Sequence, residues 1–175
     1  MAAGRDAEST PTNTTSLTLE SDRDIVIART FNGPARIVFD AWTRPELVRR
    51  WWAPQSLGDA AVTFDADVRA GGNYRYVLRS GAGHTFAFSG MYTEVTPHTR
   101  LVYTQIFEPT GSGTAPGETG ISVTVTFDEQ DGRTRVVELV QCPSKEVRDA
   151  ILASGMEHGM RESMDQLDEL VASLR

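Results

Sequence analysis

Three histidines, one cysteine and scattered carboxylates are the groups on which catalysis or metal binding would draw. His84, His98 and His158 lie far apart and show none of the short spacings by which two histidines share an ion, so no metal site is expected. Cys142 is the single cysteine and has no adjacent base to make its thiolate a nucleophile. Asp65 and Asp67 share one parity of an alternating run, opposite Phe64, as on a solvated strand face rather than in an acid–base couple. Glu94 and Arg100 flank one turn and suit a structural pair across it. RAGG and GAGH lack the strand-to-helix setting of a phosphate loop. His84 stands apart, because alternation puts it on the side of Phe86 and Phe88, where an imidazole in an apolar cavity would bind a ligand or act as a base. The adjoining turn SGAGH favours an exposed strand end instead. No catalytic residue and no cofactor is assigned, and a non-enzymatic role leads.

Binding chemistry is better represented. Met156, Met160 and Met164 recur every four residues and continue into Leu167, Val171 and Leu174, an apolar helical stripe whose thioethers suit irregular ligands but also fill ordinary cores. Phe64, Tyr74, Tyr76, Phe86, Phe88 and Tyr103 supply aromatic positions on alternating segments, although parity alone does not say which face is concave. All three tryptophans fall within DAWTRPELVRRWWAP. Trp42 sits on the apolar stripe of one short helix, and Trp51 on that of a second, near the mouth of any cavity. Trp52 is left over beside Pro54, at a rim where it would gate a ligand, touch a second subunit in a homodimer, or pack on its own loop.

These side chains need elements to hold them. DIVIART reads as a strand buried on both sides. In FNGPARIVFDAW an Asn-Gly turn leads to Pro34 at a first helical turn, with Ile37, Val38, Ala41 and Trp42 at helical spacing. Thr43 and Glu46 have capping-box spacing for a second short helix that Pro54 stops. From about residue 59 the period becomes two. AVTFDADV, NYRYVLR, HTFAFSGMYTEV, LVYTQIF, ISVTVTF and TRVVELV make six strands of an antiparallel meander, with Val62, Phe64 and Ala66 on one parity and a bulge expected at Gly90. Ser144 is the expected cap of a short helix, and Ser154 with Glu157 that of a longer one.

The chain of 175 residues suits one domain, residues 24–175, behind a disordered tail over residues 1–23 that is rich in Ser and Thr. The loop from Pro109 to Gly117 is expected to be mobile. A net charge of -7 disfavours nucleic acid as a partner, and no apolar run approaches the ~18 residues of a membrane span. The opening residues lack a basic and an apolar signal region, and a lone cysteine forms no internal disulfide, so a cytoplasmic location is expected. One lysine against many arginines hints at a bacterial, G- and C-rich source.

A curved antiparallel sheet must cover its concave face, and the terminal helix is the element long enough to do so. The expectation is an α+β helix-grip fold: about seven strands, two short helices after the first, and a long C-terminal helix across the concave face. The stretches FNGPARIVFDAWTRPELVRRWWAP, DVRAGGNYRY, FSGMYTEVTPHTRLVYT and SGMEHGMRESMDQLDELV together resemble the START-like (SRPBCC) superfamily, and within it the Aha1-like family, proteins similar to the C-terminal domain of the activator of Hsp90 ATPase. The resemblance covers roughly residues 24–174. It implies a pocket between sheet and terminal helix that takes a small hydrophobic or aromatic molecule, as in a carrier or sensor. Trp51, Phe64, Tyr74, Tyr76, His84, Phe86, Phe88, Tyr103, Met156, Met160 and Met164 are the expected ligand-binding residues. Two alternatives are a cyclase- or aromatase-like enzyme using His84 or a tyrosine, and an interaction module touching a chaperone through its surface. The latter would have a collapsed cavity and an apolar patch around Trp52.

Overall fold

The computed structural model describes residues 14–58, 60–109 and 120–175. Six strands follow one another as a meander: β3 (Ala61–Ala66), β4 (Asn73–Arg79), β5 (Thr85–Thr96), β6 (Arg100–Glu108), β7 (Ile121–Gln130) and β8 (Arg133–Gln141). Strand β2 (Asp24–Phe31) adds antiparallel to β8, and β1 (Ser16–Thr18) pairs with β2, giving one sheet in the order β1-β2-β8-β7-β6-β5-β4-β3. The fold is the expected α+β helix grip, with eight strands among the described residues.

The additional strand lies inside the stretch expected to be an unstructured tail. It is anchored through Thr15, whose hydroxyl accepts from the Arg29 guanidinium at 3.0 Å and whose carbonyl accepts from Arg161. Long-range partners of this kind leave no mark in local composition. Residues 1–13 and most of the Pro109–Gly117 loop lie outside the described residues.

Helix α1 (Ala35–Thr43) buries Ile37, Val38, Ala41 and Trp42, the stripe its spacing announces. The Glu129 carboxylate accepts from the Ala35 amide at 2.8 Å, and Phe127 meets the rings of Phe39 and Trp42 at 5.4 and 5.9 Å. The capping box expected at Thr43 does not form. Thr43 ends α1, its hydroxyl donating to the Phe39 carbonyl at 2.8 Å, while Pro45 opens the four-residue α2 (Pro45–Val48). Proline at the first helical position needs no amide partner and sets the boundary instead.

Ser144 caps α3 (Lys145–Ala153) by accepting from the Val147 amide at 3.2 Å. The Ser154/Glu157 box is absent too: α4 (Met156–Ser173) starts after Gly155, whose φ of 80° breaks the chain from α3, and Glu157 pairs with Arg161. Helix α4 turns Ser163, Met164, Leu167, Leu170 and Val171 inward. The buried Arg29 of β2 ties it down through Asp165 at 2.6 Å and Asp168 at 3.5 Å.

Two irregularities alter the expected alternation. A register shift between Ala61 and Thr63 leaves Val62 exposed. The bulge expected at Gly90 falls instead between Tyr92 and Glu94, and Gly90 pairs regularly with Tyr74. A Cβ on Gly90 would stand 1.9 Å from the Thr104 carbonyl oxygen and 2.9 Å from the Tyr74 ring. The glycine is therefore required by close approach.

Candidate functional site: an aromatic-walled interior

Period-two alternation puts Tyr74 and Tyr76 of β4 on one face, and pairing of Tyr92 with Tyr103 across β5 and β6 adds two more phenols to it. Tyr74 lies at the centre, with ring centroids 5.1 Å from Tyr76, 5.6 Å from Tyr92 and 5.5 Å from Tyr103. Its hydroxyl passes over Gly90 and donates to the Thr104 carbonyl at 2.9 Å. With Trp42 and Trp52 these four tyrosines enclose a void of about 10 Å3, the space of a single water molecule. A second, solvent-open depression lies on the opposite face of the sheet around Gly90 and Met91.

The tryptophans divide the work. Trp51 is core: its indole nitrogen donates to the Ala41 carbonyl at 2.8 Å, and its ring packs 4.8 Å from that of Trp42. Trp52, expected at a rim, is half-buried and packs 5.3 Å from Tyr76 and 6.1 Å from Phe88. Its loop hangs on one edge of α4. Ser163 donates to the Trp52 carbonyl at 2.9 Å, and the Gln166 amide nitrogen to the Ala53 carbonyl at 2.9 Å. In return Gln166 and Glu162 accept from the Gln55 and Ser56 amides at 2.8 and 3.2 Å. Residues 162, 163 and 166 share a helix face by the i, i+3, i+4 rule, so one edge of α4 serves the whole loop.

Burial decides the electrostatics. Glu138 of β8 pairs in register with Ile27 and Val125, side by side with two core residues, and desolvation pushes its carboxyl up to about 7. No basic side chain among the described residues forms an ion pair with it. Tyr103 is raised well above the ordinary phenol value by burial first and then by the Glu138 charge, and Tyr74 by burial, Tyr92 and Glu138. Tyr76 and Tyr92 share a hydrogen bond, whereas the Tyr103 hydroxyl is buried without a partner. All four tyrosines are neutral phenols at any physiological pH.

Of the residues expected to bind a ligand, the structure brings Tyr74, Tyr76 and Tyr103 to the void. Phe64 stacks behind Tyr76 at 4.7 Å, and Phe88 touches Trp52 from a cluster with Phe86 and Phe107. His84 stands exposed in the turn before β5, outside the interior. Met164 is core, while Met156 and Met160 are half-buried against it and do not line the void. Trp42, Trp52 and Tyr92 also line the void and were not among the expected ligand-binding residues, although Trp52 was expected as a gate; Glu138 acts on Tyr74 and Tyr103 from outside that lining. Tyr92 had a readable signal, since plain alternation through Gly90 keeps it in phase with Phe88. Glu138 had none, because Val137 and Leu139 make the other parity of its strand equally apolar.

A helix-grip sheet closed by its terminal helix over an aromatic interior is the architecture of the SRPBCC-type proteins. Within them, residues 32–172 match the model of the activator of Hsp90 ATPase homolog 1-like proteins, and the chain belongs to that family. Its fold is shared with a Rhodobacter sphaeroides protein (22% identity, TM-score 0.79, covering 93% of this chain and 100% of that one). It is shared likewise with a Mycobacterium smegmatis protein (22%, 0.77, 94% and 100%) and a Nitrosomonas europaea protein (22%, 0.76, 89% and 97%). No curated protein sequence matches the chain. Among the described residues no helix is long and apolar enough to cross a membrane.

Proposed function

We propose that the chain binds a small, mainly aromatic or apolar molecule in the interior between its sheet and the wall formed by α4 and the Trp52 loop. The observation that carries this reading is a buried polar group at the wall of an aromatic void: the Tyr103 hydroxyl, which has no partner. A buried group left in that state costs about 1 to 3 kcal/mol, a cost that a ligand able to hydrogen-bond it would relieve. Aromatic walls with a few polar points are the general make-up of small-molecule sites. The void as it stands has about the volume of one water, so entry of a ligand requires Trp52 to swing outward with its loop. Trp52 is the one half-buried member of the wall.

The test is a titration with the uncharged apolar fluorophore Nile red, together with native mass spectrometry of the purified protein for a retained compound. Micromolar, saturable probe binding that quenches tryptophan fluorescence is the expected result. Absence of both probe binding and any retained compound would reject the reading.

A further inference from the structure

We propose that the aromatic void takes the carbonyl oxygen of an uncharged cyclic or aryl ketone, held by the Tyr103 hydroxyl. This rests on the binding reading above and narrows the ligand to one class of head group. The chain has seven phenylalanines and four tyrosines, yet among the described residues all four tyrosines and no phenylalanine line the void. Trp42 and Trp52 complete the lining. Every lining side chain therefore carries an O–H or N–H, and none brings a carbonyl, a carboxylate or an imidazole. An indole N–H only donates, and a phenol whose proton is unused still has that proton to give. Such a wall complements a group that only accepts.

The hydroxyls leave one donor over. Tyr74 donates to the Thr104 carbonyl at 2.9 Å, whereas the buried Tyr103 hydroxyl, set beside Tyr92 by the pairing of β5 with β6, has no acceptor within hydrogen-bond distance among the described residues. A charged head group is disfavoured, because no charged side chain lines the void and a desolvated charge without a partner costs far more than an unpaired hydroxyl. An alcohol would accept from Tyr103 but bring a proton of its own, with only phenol oxygens in the lining to receive it. A ketone brings none. The size also agrees: a void of about 10 Å3 has room for one oxygen-sized group and not for a carboxylate or an amide. The ring that bears the carbonyl would lie where Trp52 now packs against Tyr76 and Phe88, among aromatic faces and edges that suit a flat partner.

Acetophenone and α-methylstyrene are matched in shape and differ in C=O against C=CH2, and 1-phenylethanol replaces the carbonyl by a hydroxyl. Their binding is compared by calorimetry on the parent protein and on Tyr103→Phe, and the carbonyl stretch of bound acetophenone is recorded by infrared difference spectroscopy. Tyr103→Phe is expected to weaken acetophenone about five- to tenfold while α-methylstyrene moves less than about twofold. The stretch should lie below its value in hexane in the parent and return towards that value in Tyr103→Phe. The variant should be no less stable than the parent, since it removes an unpaired buried hydroxyl. Equal losses for ketone and hydrocarbon, tighter binding of the alcohol than of the ketone, or a stretch already at its hexane value in the parent overturns the carbonyl assignment and leaves the apolar-ligand reading standing. Nile red binding with no response to acetophenone has the same consequence. Failure of Nile red and all three compounds to bind overturns both.

Discussion

The Ser163 hydroxyl donates a 2.9 Å hydrogen bond to the carbonyl of Trp52, so the terminal helix directly holds the tryptophan that walls the interior. Gln166, one turn on, holds Ala53 and Gln55 in the same way. Ser163→Ala is expected to cost about 1 kcal/mol, seen as a lower denaturant midpoint. The more specific effect is local: the Gln55 and Ser56 amides, which donate to Gln166 and Glu162, should exchange with deuterium faster in Ser163→Ala and Gln166→Ala. Unchanged exchange there would mean that the loop holds itself without the helix.

Glu138 makes stability depend on pH in the direction opposite to a paired carboxylate. Its folded value, about 7, lies above the ordinary 4.5, so the folded state binds the proton more tightly than the unfolded chain. The stability associated with the protonated acid is fully present below about 4.5 and is lost as pH rises through 7. The loss is on the order of 3 kcal/mol by linkage. Glu138→Gln removes this titration. The difference in unfolding free energy, variant minus parent, should therefore grow from pH 4.5 to 8, and a flat difference would place Glu138 in a more solvated setting.

The methionine row should divide on mutation. Met164→Ala empties a core position and is expected to cost about 2 to 4 kcal/mol, while Met160→Ala, half-buried, should cost less than about 1. His84→Ala, exposed, should leave both stability and Nile red binding unchanged. Equal costs at Met160 and Met164 would contradict the placement of α4.

Gly90→Ala is expected to be among the most disruptive small changes, because its methyl would meet the Thr104 carbonyl carbon at 2.7 Å and the Tyr74 ring at 2.9 Å. Backbone cannot step aside cheaply, so a loss of about 3 kcal/mol or more is expected, measured as a fall in Tm. A variant as stable as the parent would show that β5 and β6 separate freely at this point.

The sequence by itself determined the order of strands and α-helices from β2 onward, the apolar stripes of α1 and α4, and the shared face of Tyr74 and Tyr76, because each follows from a period of 3.6 or 2 within one segment. Proline displaced the expected cap at Thr43 because its ring fixes a helix start wherever a side-chain cap merely favours one. Only the tertiary structure decided which segments share a face. Pairing register set Tyr92 against Tyr103 and put Glu138 between Ile27 and Val125, and α4's hydrogen bonds hold the backbone of the Trp52 loop beside the interior. Strand β1 likewise exists through Arg29 and Arg161, residues that are distant in the chain. Local alternation says that a residue points up or down relative to its neighbours. Where both parities of a strand are apolar, as around Glu138, the choice belongs to whatever packs on each side, and that is supplied by chain segments far away in sequence.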